Sequence, residues 1–175
     1  MAAAVDGVAE AAVVSAASPV VAVQAVAEVQ VEAGKFTSEE KAQILNAIGK
    51  AELQTSGEIR IHVSYAKDEA DFMVAAKLQF DRLKMAETKE RNGILLYVNP
   101  TLKRFAIYGD QGIHQKVGQD FWESLAKEVS HAIREHNRTH GMVHAILKMG
   151  EALKVHFPEQ KAKKNELSNE PTESE

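Results

Sequence analysis

Three short stretches, 59–63, 94–98 and 105–108, carry apolar side chains in alternating or unbroken runs and are rich in Ile, Val, Leu, Phe and Tyr, as strands are. Between the first two, Phe72, Ala75, Ala76, Leu83 and Met85 mark a helix over about 68–86, the length that a right-handed parallel β-α-β crossover needs. Between the last two lies only the short stretch that begins Asn99-Pro100-Thr101-Leu102, so the third strand returns as the antiparallel arm of a hairpin. That order places the start of the first strand, the start of the second and the end of the third at one sheet edge. Each of these points is a polar break: Thr55-Ser56-Gly57-Glu58, Arg91-Asn92-Gly93 and Gly109-Asp110-Gln111-Gly112. Glu58, Asn92 and Asp110 are therefore expected to converge.

Helical patterning accounts for much of the remainder. Thr37 followed by Glu40 has capping-box spacing, and Ile44, Leu45, Ile48 and Ala51 continue at helical intervals until a stop before Gly57. Phe121, Trp122, Leu125, Val129 and Ile133 mark another helix, and Val143, Ile146, Leu147 and Leu153 a last one. The run 94–98 is apolar throughout, as in a strand covered on both faces. In the first strand, by contrast, Ile59, Ile61 and Val63 alternate with Arg60, His62 and Ser64, which reads as an edge or a half-exposed face. Asp68, Glu69 and Asp71 read as caps for the crossover helix, at the edge opposite Glu58. The expected fold class is α/β, a three-layer α/β/α sandwich with a small mixed β-sheet of which three strands are legible.

Composition sets the boundaries. Residues 1–35 form a low-complexity Ala/Val extension, read as disordered or weakly helical, whose Val-rich part from Val20 to Val31 has the alternative of adding an edge strand or pairing with another chain. Residues 36–157 make one domain, and 158–175 a charged tail expected to be disordered. The net charge of −4 sits at the ends: four carboxylates face one Lys over 1–35, five face three Lys over 157–175, and the middle is near +1. A near-neutral middle argues against a nucleic-acid partner. There is no cysteine, which excludes disulfides, thiolate zinc sites and a catalytic thiol. No run has the length of a membrane span, and Asp6 and Glu10 interrupt what a secretory leader keeps unbroken. A cytoplasmic location is the expectation, with export left open.

Glu58, Asn92 and Asp110 offer carboxylate and amide oxygens in turns whose carbonyls are also exposed, the mixture that Ca²⁺ and Mg²⁺ take. Ser56, His114 and Asp120 lie near them in sequence; His114 is the histidine placed to donate a proton. Asn-Gly and Asp-x-Gly are also ordinary turn formers. His136, His140 and His144 have the i, i+4, i+8 interval of a zinc-binding helix face, but Asn137, Thr139 and Gly141 argue that the helix breaks there. Neither a nucleophile elbow nor a phosphate-cradling loop is present.

The ordered series Thr55-Ser56-Gly57-Glu58-Ile59, Asn92-Gly93-Ile94-Leu95, Gly109-Asp110-Gln111-Gly112-Ile113, Val117-Gly118 and Gly141-Met142 before Ile146 and Gly150 resembles the TPM domain, a family named from a thylakoid lumen protein, a photosystem II repair protein and a nematode receptor modulator. The resemblance spans about 36–158. It implies an α/β/α sandwich, divalent-cation binding and a disputed acid-phosphatase activity in the plant branch. The segment His156-Phe157-Pro158 is similar to the ending of short bacterial members. Two departures stand out: His136-Asn137-Arg138 replaces a Gly-x-aromatic stretch, and Gly109-Asp110-Gln111-Gly112 replaces a Gly-Tyr-Gly turn. The functional expectation is a divalent-metal-binding module, with Ca²⁺ or Mg²⁺ as the cation, that binds or assists other proteins in assembly or repair; the alternative is a metal-dependent phosphomonoester hydrolase.

Overall fold

A computed structural model describes residues 25–28, 34–69, 71–159 and 168–174. In chain order the elements are β1 (Ala25–Glu28), α1 (Ser38–Glu52), β2 (Glu58–Ser64), α2 (Phe72–Arg82), β3 (Gly93–Asn99), β4 (Arg104–Gly109), α3 (Gln111–Val117), α4 (Gln119–Glu135), α5 (Arg138–His156) and β5 (Thr172–Ser174). A single 3₁₀ turn, Met85–Glu87, follows α2. The sheet has five strands in the order β1-β4-β3-β2-β5. β2 and β3 run parallel with Glu58 opposite Gly93, and β3 and β4 form the antiparallel hairpin with Ile94 opposite Gly109.

The two faces of the sheet carry different cores, which makes the molecule an α/β/α sandwich. Ile59, Ile61, Val63, Ile94, Leu96, Val98, Phe105 and Ile107 are buried against α1, α4 and α5. On the opposite face Leu95, Tyr97, Ala106 and Tyr108 meet Phe72, Ala76 and Phe80 of α2 and Met85. Fully burying a side chain of this size contributes about 1.5–3 kcal/mol, so the three-layer arrangement follows from the period-two pattern of the central strands. Gly150 sets the approach of α5 to α1, since a Cβ there would lie 2.5 Å from that of Ala51.

Several elements depart from the sequence reading. The polar side of β2 is not half-exposed: Arg60, His62 and Ser64 are all buried. For His62 and Ser64 burial is tolerable because partners arrive. His62 stacks on Tyr97 and exchanges hydrogen bonds with Thr172 Oγ1 (2.8 Å) and Ser174 Oγ (3.0 Å) of β5. The segment 172–174, expected to belong to a disordered tail, is thus a strand parallel to β2. At the other edge β1 pairs antiparallel with β4, within the stretch Val20 to Val31 that had the edge-strand alternative. The rest of the Ala/Val extension up to residue 24 lies outside the described residues. Asp71 does cap α2, accepting from the N–H groups of Met73 and Val74. Glu69 has a different role: it accepts from Ser64 Oγ (2.8 Å), Tyr97 Oη (2.5 Å) and Asn99 Nδ2 (3.3 Å).

Arg138, at the first turn of α5, is the main polar tie between helices. It is buried and donates to both oxygens of Glu40 (2.9 Å each) and to the carbonyls of Gly34 (2.8 Å) and Lys35 (3.1 Å), while its guanidinium lies 4.3 Å from the centre of the Phe36 ring. Glu40 also closes the expected capping box with Thr37 and accepts from Thr139 Oγ1. These bonds, that of Arg138 first, hold the Glu40 carboxyl down at about 2 from an ordinary 4.5. Burial, and then the charges of Arg82 and Arg60, bring the His62 imidazole down to about 4 from 6.5.

Both groups take up a proton more readily when unfolded. Stability carried by His62 is therefore whole above pH 6.5 and is lost as pH falls towards 4; that carried by Glu40 is whole above 4.5 and is lost as pH falls towards 2. Urea unfolding at stepped pH should show these two windows, with His62→Gln flattening the upper and Glu40→Gln the lower. At neutral pH Glu40→Ala should cost about 3 kcal/mol, because it strands the Arg138 charge in a buried place. A loss below about 1 kcal/mol, the range of surface pairs, would show that this ion pair is incidental to stability.

Candidate functional site

The edge formed by the start of β2, the start of β3 and the end of β4 is set by the strand pairings, and backbone bonds tie its second turn to its third. The first turn is held from the C-terminal side. Thr55 Oγ1 donates to the Phe157 carbonyl (2.5 Å) and accepts from Gly57 N–H (3.0 Å), Ser56 N–H donates to the same carbonyl (3.0 Å), and Thr55 bridges Pro158. Packing also limits Gly57, where a Cβ would lie 2.6 Å from the Leu153 side chain. Immediately beyond, Glu58 is 1 % exposed at the head of β2. Glu52, the last residue of α1, sits behind it and accepts the Ile59 N–H (2.7 Å). Burial lowers the pKa of Arg60, and the charges of Glu58 and Glu52 oppose that shift, so two carboxylates and a guanidinium share this buried region.

The second and third turns interlock. Arg91 takes a left-handed conformation (φ 52°), which aims its carbonyl at Gly112 N–H (2.8 Å) and Ile113 N–H (3.4 Å). Gly112 is required by closeness: a Cβ would fall 2.2 Å from the Glu90 carbonyl oxygen and 2.7 Å from that of Arg91. Asp110 N–H donates to the Gly93 carbonyl (2.8 Å), which fixes the end of β4 against the start of β3.

Side chains then connect turns one and two. Asn92 Nδ2 donates to Ser56 Oγ (3.2 Å), and Ser56 Oγ donates to a carboxylate oxygen of Glu90. Asn92 is 1 % exposed, and its Oδ1 is buried without a hydrogen-bond partner among the described residues. Asp110 is already engaged. Its Oδ2 accepts from Arg91 Nε (2.7 Å), and its Oδ1 from Arg91 Nη2 (2.9 Å) and from Gln111 N–H (2.7 Å) as the cap of α3. That ion pair raises the pKa of Arg91.

Topology thus places Ser56, Glu58, Asn92 and Asp110 at one edge. His114 is turned to α4, where its Nδ1 accepts from Trp122 Nε1 (3.1 Å), and Asp120 is exposed in the first turn of α4. Glu90, Arg91 and Glu52 belong to the edge and were not anticipated, although Glu90 and Arg91 adjoin the Asn-Gly pair in sequence. For a hard cation the donors fit in kind, with an orphaned amide oxygen, a hydroxyl and carboxylates. Among the described residues no three His, Asp or Glu groups are already gathered for a metal ion. The pairing of Asp110 with Arg91 must open before that carboxylate is a ligand. The helix does break at His136-Asn137, yet His136, His140 and His144 all line one cleft between α4 and α5.

No described helix is long and apolar enough to cross a membrane. No curated protein matches the chain. A solved structure, that of the BA42 protein from the psychrophilic bacterium Bizionia argentinensis, shares 39 % identity and a TM-score of 0.74 over 81 % of this chain and 97 % of its own. The N-terminal domain of the cg2496 protein from Corynebacterium glutamicum shares only the fold, at 10 % identity and a TM-score of 0.54 over 82 % of this chain and 98 % of its own. The family model of the TPM domain matches residues 29–152, a span that holds β2, β3 and β4 and all three interlocked turns, and the chain belongs to the TPM domain family.

Proposed function

We propose that the three-turn edge binds a hard divalent cation, Ca²⁺ or Mg²⁺, and that the domain works as a protein-binding accessory module in assembly or repair. The observation that carries this reading is the Asn92 side chain: its Nδ2 is tied to Ser56 while its Oδ1, buried beside the same turn, has no donor among the described residues. A buried amide oxygen left without a partner costs about 1–3 kcal/mol, and a cation would recover that cost. Asn92, Glu58 and Asp110 would hold the ion, with Ser56 and Glu90 at the rim. The ion would supply positive charge in place of the Arg91 guanidinium and tie the three turns together. Leu53 and Val155, which flank the clamp between turn one and Pro158 in sequence, are 71 % and 72 % exposed and offer apolar contact to a partner.

Phosphomonoester hydrolysis remains as the second reading because of Arg91 and His114. The Arg91 side chain is 48 % exposed, and once released from Asp110 its guanidinium suits phosphoryl oxygens. The Trp122 bond keeps His114 Nδ1 as an acceptor, so in the neutral ring Nε2 carries the proton that a leaving alkoxide requires.

Amide-resolved NMR titration with Ca²⁺ and Mg²⁺ should move resonances of 55–58, 91–93 and 110–114 together. Glu58→Gln should weaken cation binding at least tenfold, about 1.4 kcal/mol, with the metal-free spectrum otherwise retained. Unchanged affinity in a folded Glu58→Gln protein would reduce that carboxylate to a structural residue.

Arg91→Ala should have the opposite effect, because it releases Asp110 from its internal counter-charge. Cation affinity should rise several-fold in calorimetric titration, while hydrolysis of p-nitrophenyl phosphate, if the chain supports any, should fall. A decrease in affinity would mean that Arg91 builds the site instead of competing for it.

A further inference from the structure

The cleft between α4 and α5 gathers four of the chain's seven histidines on a surface that the sheet-edge reading does not use. Its volume is about 490 Å³, and its walls are Glu128, His131, Ala132, Glu135 and His136 on one side and His140 and His144 on the other. The α4 residues recur at three- and four-residue intervals, one face of that helix, and Trp122, Leu125, Val129 and Ile133 bury the other. His140 and His144 are one turn apart at the start of α5, the i, i+4 spacing with which two imidazoles chelate one metal ion. The helix break turns out to be what assembles this cleft. Asn137 caps α5 through His140 N–H (2.8 Å), so the chain reverses at His136 and brings α5 back along α4.

Two contacts already join the ligating groups. The His136 and His140 rings lie 4.2 Å apart between centres, and His144 Nε2 is 3.2 Å from Glu128 Oε2. We propose that this cleft is a second, separate metal site, selective for a borderline transition-metal dication of the Zn²⁺ class, with His136, His140 and His144 as nitrogen ligands and Glu128 as the carboxylate. Imidazole nitrogen suits Zn²⁺, Ni²⁺ or Cu²⁺, whereas Ca²⁺ and Mg²⁺ require oxygen, so the donors separate this site from the sheet edge. The groups stand as two pairs and not yet as a closed set of three. Closure needs rotation of His136 and His140, both exposed on the surface, and leaves the core in place.

The test uses the full chain without a histidine tag, titrated with ZnCl₂ in the presence of a chromophoric chelator and followed by amide NMR. One equivalent of Zn²⁺ should bind, shift amides between 128 and 144, and leave 55–58, 91–93 and 110–114 unmoved. His140→Gln and His144→Gln should each weaken binding at least tenfold, and acidification to pH 5 should release the ion, because imidazole ligates only when neutral. Ca²⁺ added to the Zn²⁺-loaded protein should not displace it. Zn²⁺ shifts centred on the sheet edge, an absence of shifts between 128 and 144 at tenfold excess, or undiminished binding in the folded double variant would each overturn the proposal. A failed Ca²⁺ titration would leave this result standing, since the two sites share no residue.

Discussion

The parallel pairing of β2 with β3, in the register that sets Glu58 opposite Gly93, is the constraint on which the candidate edge depends. A slip of one residue would exchange the faces of β2, sending Ile59, Ile61 and Val63 towards α2 and the buried polar set towards α1 and α5. The observed register keeps the apolar side of β2 on the α1, α4 and α5 core. The crossover through α2 then makes the strand starts coincide, and the four-residue hairpin brings Gly109 back to them. Gly112 completes the arrangement, because its missing side chain lets α3 begin directly against the Arg91 carbonyl. Convergence of residues more than fifty apart in sequence thus comes from backbone geometry, before any side chain of the edge makes a bond.

A second theme is how the fold handles polar groups it has enclosed. Glu69, Tyr97, Ser64 and Asn99 satisfy one another on the α2 face, and burial together with the Glu69 bond raises the Tyr97 phenol to about 12. His62 relies on β5 and stays neutral. At the far side Arg138 and Glu40 hold the first turns of α5 and α1 together. Each of these groups has a named partner, whereas Asn92 Oδ1 is buried and lacks one among the described residues. Buried Arg60 Nε and Arg104 Nε lack a partner among the described residues as well, but both are donors; Asn92 Oδ1 is an acceptor, the kind of atom that the cation of the proposed reading would meet.

Much of this was legible in the sequence, for physical reasons that also explain what was not. The capping box at Thr37 and Glu40, the crossover and the hairpin are local signals, decided within a few residues, and each stands in the structure as read. The convergence of Ser56, Glu58, Asn92 and Asp110 followed from them by topology alone. Pairings between distant segments leave no local signature. The match of Thr172–Ser174 with β2 rests on three residues of a polar segment, and the Arg138–Glu40 bond spans almost a hundred positions. Asp110 reads from the sequence as a candidate metal ligand in a turn; that it caps α3 and binds Arg91 depends on the backbone of a different turn. The break at Asn137 was legible, but its consequence was not, since a helix interruption separates residues in sequence while a helix reversal reunites them in space.

Arg91 shows how these constraints meet at one residue. A side chain with a Cβ in the left-handed region costs on the order of 1 kcal/mol relative to an ordinary conformation. Glycine would avoid that cost, yet the position carries arginine, and the same conformation sends the carbonyl to Gly112 and the guanidinium to Asp110. The carbonyl bonds need only the backbone, so the conformation by itself does not explain the side chain. What the guanidinium adds is a positive charge on the one carboxylate of this edge that also caps a helix. The guanidinium is about half exposed while the Asp110 side chain is only 6 % exposed, so on the proposed reading a cation reaches that carboxylate only when the arginine swings away on its flexible stem. A buried, bonded partner such as Arg138 offers no such exit. These two arginine–carboxylate pairs therefore differ in kind: in one the arginine is buried, and in the other it is about half exposed.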